Sequence, residues 1–128
     1  MNLKIEKCIA FNICIALFLV FLDYSGAFRD YSNPIEVTAF YFDCLKNREG
    51  FLTYSISKPK FFNKDYNGAL FRKYKMNAIK KIEYALLRSS DEIARVETKI
   101  LYKKMEPMYV VTELEKSGNI WLIKDMHQ

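Results

Sequence analysis

The amino-acid sequence predicts an α+β domain in which N-terminal helices pack on a curved antiparallel sheet of about four strands. Three observations support this class: an apolar stripe with helical spacing after Asn33-Pro34, alternation of apolar and polar residues over 94–103, and two apolar segments flanking Ser117-Gly118. With 128 residues the chain has room for a single domain. A two-domain enzyme and a solenoid of several repeats are therefore excluded.

The N-terminus carries a hydrophobic leader. Lys4 and Lys7 precede a 15-residue apolar run, 8–22, and small residues follow at 25–27. A membrane span needs roughly 20 residues, whereas this length suits the hydrophobic region of a signal peptide. We therefore predict a signal peptide or N-terminal membrane anchor over 1–27 and a single secreted or otherwise extracytoplasmic domain over 28–128.

The first helix of the domain begins at a recognisable cap. Asn33 suits the N-cap position, Pro34 suits the first helical position, and Glu36 stands where a capping box needs it. Gly50 is expected to end the helix in a left-handed conformation. The amphipathic stripe of this helix consists of Val37, Phe40, Tyr41, Cys44 and Leu45.

Shorter helices are predicted next. The apolar segment 51–57 fits one or two helical turns that close at Lys58-Pro59. Asn67-Gly68 is a turn signal, and 69–75 fits a further short helix.

The segment 78–88 fits either a helix or a strand. A three-residue turn at 89–91 would pair it with the alternating segment 94–102 and place Tyr84 opposite Val96. The apolar residues of both segments then share one face, which favours a strand.

A final hairpin follows. A two-residue Ser117-Gly118 turn would join 108–115 to 120–126 and place Leu114 opposite Trp121. Trp121 is predicted to be a buried anchor of this hairpin.

The order of these elements resembles the nuclear transport factor 2-like superfamily, the cystatin-like cone fold, and in particular its small exported bacterial members. The resemblance rests on the Asn33-Pro34 helix, the short 51–54 helix and the ending 109–123 with its Ser117-Gly118 turn. It implies a bent sheet around a long helix with a conical pocket. The superfamily includes isomerases and dehydratases as well as ligand-binding, dimerising and accessory modules, so the fold alone fixes no function.

Charge is concentrated in one segment. Residues 58–81 carry eight basic residues against Asp65 alone, while the whole chain has a net charge of +5. Outside the cytoplasm such a segment would contact anionic lipid or wall polymer weakly, and nucleic acid is not an expected partner. The alternative is that its aromatic residues turn inward and its lysines only face water. The candidate anion-attracting residues are Lys58, Lys60, Lys64 and Lys73.

Few residues suit catalysis or metal binding. His127 is the single histidine and lies beside the C-terminus, Cys44 belongs to the core stripe, and Asp43 is a lone carboxylate beside it. There is no glycine-rich phosphate loop, so no cofactor is expected. The candidate pocket-lining residues are Phe40, Tyr41, Tyr84 and Trp121.

These residues favour a non-enzymatic binding or interaction domain with an unknown ligand or protein partner, and with a homodimer through the sheet face as one form. The alternative is a small pocket enzyme of the isomerase or dehydratase kind, which needs converging acids, bases and oxyanion donors. The mostly hydrocarbon inner faces count against it.

Overall fold

Helices precede strands along the chain. The computed structural model describes residues 3–24, 29–47, 50–65 and 78–128. Its four strands form one antiparallel sheet in the order β1-β2-β3-β4, which confirms the α+β class. The elements are α1 (Leu3–Tyr24), α2 (Pro34–Lys46), a 3-10 helix (Gly50–Ile56), α3 (Pro59–Asp65), β1 (Ile79–Ser89), β2 (Ile93–Tyr102), β3 (Met108–Ser117) and β4 (Ile120–His127).

The start of α2 confirms most of its predicted cap. The side-chain oxygen of Asn33 accepts a hydrogen bond from the Ile35 backbone N–H at 2.9 Å, and Pro34 occupies the first turn. The backbone N–H of Asn33 donates to the Asp30 carbonyl at 3.1 Å. This bond replaces the one that Glu36 would make in a capping box.

The end of α2 differs from the prediction. Asn47 is the C-cap, and its backbone N–H donates to the Asp43 carbonyl at 3.0 Å. Gly50 instead begins the 3-10 helix. Pro59 then begins α3, a helix that the sequence-based prediction does not contain. Proline is expected to close the preceding turn, but it fits the first position of a helix equally well. The predicted turn at Asn67-Gly68 and helix over 69–75 lie outside the described residues.

The β1–β2 hairpin has the predicted face but a different register. The segment is a strand, and Tyr84 lies opposite Thr98 rather than Val96. The loop is 90–92 instead of 89–91. Over the regular stretch 81–86 the register differs by two residues, so the side chains there keep their predicted face.

The β3–β4 hairpin shows the same kind of difference. Leu114 lies opposite Ile123 rather than Trp121, and the turn residues are Gly118-Asn119. Gly118 has a φ of +64°, which the first central residue of a tight two-residue hairpin turn requires and which glycine adopts without steric cost.

The core lies between α2 and the inner face of the sheet. On β2 every second residue from Ala94 to Tyr102 is buried. The buried apolar cluster consists of Val37, Phe40, Tyr41, Phe42, Cys44, Leu45, Ile56, Phe61, Ala94, Val96, Ile100, Tyr102, Val110, Leu114, Trp121, Ile123 and Met126. None of these residues belongs to α1. Within the described ranges, no helix is long and apolar enough to cross a bilayer.

The β4 edge of the sheet is covered by earlier parts of the chain. The Trp121 backbone N–H donates to the Tyr31 carbonyl at 2.9 Å, and its indole Nε1–H donates to the Ser32 carbonyl at 3.0 Å. Further along, the Lys58 backbone N–H donates to the Ile123 carbonyl at 2.8 Å. Two separate segments therefore occupy the outward side of β4.

Candidate functional site

The four predicted pocket-lining aromatics lie in or against the core. Phe40, Tyr41 and Trp121 are buried members of the core cluster, and Tyr84 is half-buried and packed against that cluster. The Tyr84 ring centroid lies 6.3 Å from that of Phe42. The predicted burial of Trp121 is confirmed, with 4% of its surface exposed. The structure thus uses these rings for packing between α2 and the sheet.

A charged cluster lies along one side of α2, where the helix meets solvent. The Arg29 guanidinium is hydrogen-bonded to the Asp43 carboxylate, and its Nη1 lies 3.6 Å from Glu36 Oε2. Its Cζ stands 5.9 Å from the centroid of the Phe40 ring. Residues 36, 40 and 43 share one helix face, so Arg29 folds along that face. Asp43 therefore has a cationic partner, which the sequence alone does not reveal.

Tyr84 adjoins this cluster. Burial raises the pKa of its hydroxyl, the negative charge of Asp43 raises it further, and Arg29 opposes the change. The hydroxyl consequently stays protonated well above neutral pH and is available as a hydrogen-bond donor.

A cleft of about 540 Å³ lies where α3 meets β3 and β4. Two of its carboxylates have cationic partners: Glu115 Oε1 lies 3.6 Å from Lys58 Nζ, and Glu113 Oε1 lies 3.1 Å from Arg95 Nη2. The cleft is lined by Lys58, Lys60, Phe61, Glu113, Glu115, Lys124 and Asp125.

The cleft brings together part of the predicted anion-attracting set. Lys58 and Lys60 both line it, although Lys58 is paired with Glu115. Lys64 lies in α3, and Lys73 lies outside the described residues. Lys124 joins the cleft from β4. Local net charge could not indicate Lys124, because strand pairing brings it beside α3.

The interior offers another kind of polar group. The hydroxyl oxygens of Ser57, Thr98 and Thr112 are buried and have no hydrogen-bond partner among the described residues. Leaving a buried hydroxyl unpaired costs on the order of 1–3 kcal/mol. The described residues contain no group of three or more residues able to hold a metal ion.

Comparison with known proteins gives a likeness of fold. No family model matches the chain, and no curated protein matches it. The chain is similar to the solution structure of a SEC-C motif containing protein from Rhodopseudomonas palustris, with a TM-score of 0.58 and 12% sequence identity. The match covers 84% of this chain and 90% of that protein. At this identity the likeness concerns the fold alone.

Proposed function

We propose that the chain is exported or membrane-anchored and that residues 28–128 form a non-enzymatic binding domain outside the cytoplasm. The proposal rests on the exposure of apolar side chains along α1. Seven of its apolar side chains, between Ile9 and Leu19, are 42–66% exposed, and none joins the core cluster.

Such a helix is poorly suited to water. Apolar surface left in water forgoes about 25 cal/mol per Å² relative to burial, and these side chains project on several sides of the helix rather than in one stripe. A polar face would be expected of a helix made for the surface of a domain. Recognition by export machinery or lipid is the physical role that fits it.

Export is tested by the N-terminus of the chain recovered from a producing bacterium. Cleavage after Ala27 yields a chain beginning at Phe28 or close to it, and retention in the membrane fraction with an intact leader indicates the anchor. Leu17→Arg should block export by breaking the apolar run. Ile93→Arg is the matched control, because it places the same charge at an exposed apolar residue of the domain. An intact Met1 on soluble cytoplasmic protein would contradict the proposal.

The cleft supports a binding role. Lys60 and Lys124 are exposed there, and among the described residues neither ammonium forms an ion pair, whereas Lys58 is partly neutralised by Glu115. We expect these two lysines to attract anionic lipid headgroups, each adding about 1 kcal/mol at a charged surface. Salt should weaken this attraction, because exposed charges are screened.

Co-sedimentation with vesicles tests this role. The fraction of full chain that sediments is measured with anionic and with neutral vesicles, at low and at high salt. The fraction bound to neutral vesicles measures the binding due to α1. The double variant Lys60→Gln/Lys124→Gln should lose most of the salt-sensitive part, and Lys103→Gln/Lys104→Gln, with equal charge loss on the β2–β3 loop, should keep it. Binding to anionic vesicles that high salt leaves unchanged would contradict the role.

A small pocket enzyme is the less supported alternative. It needs free polar groups beside one another, and among the described residues Tyr84 and Asp43 are a candidate pair, because the charge of Asp43 acts on the Tyr84 hydroxyl. The Asp43 carboxylate is engaged by Arg29, which also contacts Glu36. A reactant would have to displace that guanidinium before it met a free carboxylate.

A further inference from the structure

We propose that β1 pairs edge to edge with β1 of a second copy of this chain, antiparallel and about a two-fold axis at Tyr84. The two four-stranded sheets would then become one continuous sheet. This inference goes beyond the proposed function and does not depend on export. It starts from the position of β1 at the end of the sheet, where no described residue pairs with its outward side.

The register of β1 against β2 limits which residues can pair outward. Irregularities occur between Ile79 and Lys81 and between Leu86 and Arg88, so only 81–86 is regular. Bulges twist a strand and interrupt its ladder, and lysine near an edge discourages further pairing. Pairing is therefore confined to a short central stretch, which favours a closed dimer over an open-ended fibre.

Two registers keep five residues of that stretch paired. Residues directly opposite each other must share a sheet face, so the two-fold axis has to pass beside a residue that lies opposite its own copy. Centring on Glu83 places two carboxylates directly opposite each other, which is destabilising. Centring on Tyr84 places Ile82 of one copy opposite Leu86 of the other, twice, and Glu83 opposite Ala85. Charge therefore selects the Tyr84 register, which also brings Leu86 into the apolar contact.

The exposure of β1 side chains agrees with this selection. Leu86 lies on the same sheet face as the half-buried Ile82 and Tyr84, yet 45% of its surface is exposed. The domain therefore leaves the inner face of β1 uncovered at Leu86. In the Tyr84 register, Ile82 of the second copy lies beside it and continues the apolar face.

The outer face of the sheet is less suited to a second copy. It carries ion pairs across and along its strands, with Arg95 Nη2 3.1 Å from Glu113 Oε1 and Lys81 Nζ 3.3 Å from Glu83 Oε1. Docking on that face would remove these charges from water, which is costly. Edge pairing leaves them solvated, so we place the second copy at the edge rather than at the face.

Sedimentation over a concentration series tests the dimer. The full chain, in mild detergent, should associate with increasing concentration. Leu86→Glu should raise the dissociation constant at least tenfold, since a carboxylate would face Ile82 of the second copy. Ile93→Glu is the matched control, because Ile93 is 49% exposed and lies on β2. Equal association of the two variants would overturn the proposal.

Cysteine cross-linking tests the register. In full chains carrying Cys8→Ser and Cys14→Ser, an equal mixture of Glu83→Cys and Ala85→Cys should form disulfide-linked dimers on oxidation. Either variant alone should form few. Efficient cross-linking of the Glu83→Cys variant alone would overturn the Tyr84 register. If neither the mixture nor either single variant forms cross-linked dimers, the dimer itself is overturned.

Discussion

The two edges of the sheet are built in opposite ways. At β4, Trp121 is held by the carbonyls of Tyr31 and Ser32, and the backbone of Lys58 continues the ladder at Ile123. At β1, no described residue forms such bonds, and two irregularities bracket the regular stretch 81–86. The chain itself closes the β4 edge, whereas among the described residues the β1 edge has only its own charges and bulges to limit pairing.

This contrast shows how the leader and the domain are related. The residues that close the β4 edge begin just beyond the predicted cleavage site, and Arg29 is fixed to α2 by Asp43. Cleavage after Ala27 would leave Tyr31 and Ser32 with the domain. Closure of β4 is therefore compatible with loss of α1, whereas truncation beyond Ser32 would remove both bonds to Trp121 and leave only the Lys58 bond to Ile123.

The largest effect is expected at the closed edge. Trp121→Ala removes a buried ring together with its bond to the Ser32 carbonyl, and the free energy of unfolding should fall by about 3–5 kcal/mol. Urea denaturation followed by circular dichroism measures it. Trp121→Phe, which keeps most of the ring but loses the indole donor, should cost less. A loss below about 1 kcal/mol for the alanine variant would mean that this edge does not depend on the ring.

A second variant separates backbone from side chain at the same edge. Lys58→Pro removes the N–H that donates to Ile123 and should cost about 1–3 kcal/mol, the range for leaving a buried partner unpaired. Lys58→Gln keeps that N–H and loses only the ion pair with Glu115, a partly exposed contact worth about 1 kcal/mol or less. Equal losses in urea denaturation would show that the backbone bond contributes nothing.

The sequence predicts faces better than registers, and both hairpins show why. Alternation has a period of two, so it determines which side chains point inward at Tyr84 or Leu114. A slip of two residues leaves every face unchanged, and the hairpins differ from prediction by this amount over 81–86 and 114–117. The turn at Gly118 selects its register through a positive φ, which hydrophobic alternation does not encode.

The candidate sites were predictable only where they are local in sequence. Lys58 and Lys60 stand out because basic residues cluster around them. Lys124 and the carboxylates at Glu113 and Glu115 reach the cleft through strand pairing, and Arg29 reaches Asp43 by folding back over α2. Such partners depend on tertiary structure, which composition and spacing do not report. Membership of the nuclear transport factor 2-like superfamily stays a prediction.

At the open edge, pH should distinguish Tyr84 from solvent-exposed tyrosines. Its folded-state pKa is raised above the ordinary value near 10, chiefly by burial. Its contribution to stability is thus complete below pH 10 and is lost as the pH rises, because the unfolded chain releases the proton first. The slope is at most about 1.4 kcal/mol per pH unit.

The measurement is the free energy of unfolding between pH 8 and pH 11, roughly two units around the ordinary tyrosine pKa. Tyr84→Phe should show a shallower decline than the parent chain. Tyr54→Phe serves as the control, because Tyr54 is mostly exposed. If the free energy of unfolding of both variants declines in parallel with that of the parent chain, Tyr84 ionises equally in the folded and unfolded chains. The argument from burial then fails.

The smallest effect is expected at the open edge, at Leu87. This residue lies within the irregularity between Leu86 and Arg88, and 53% of its surface is exposed. Leu87→Thr should change the free energy of unfolding by less than about 0.5 kcal/mol, as surface substitutions usually do, because little apolar contact is lost and threonine suits a strand. It should leave association unchanged too, since residue 87 lies outside the paired stretch. A loss near that of Trp121→Ala in the same denaturation assay would show that the β1 edge is packed as tightly as the β4 edge, and the contrast between them would fail.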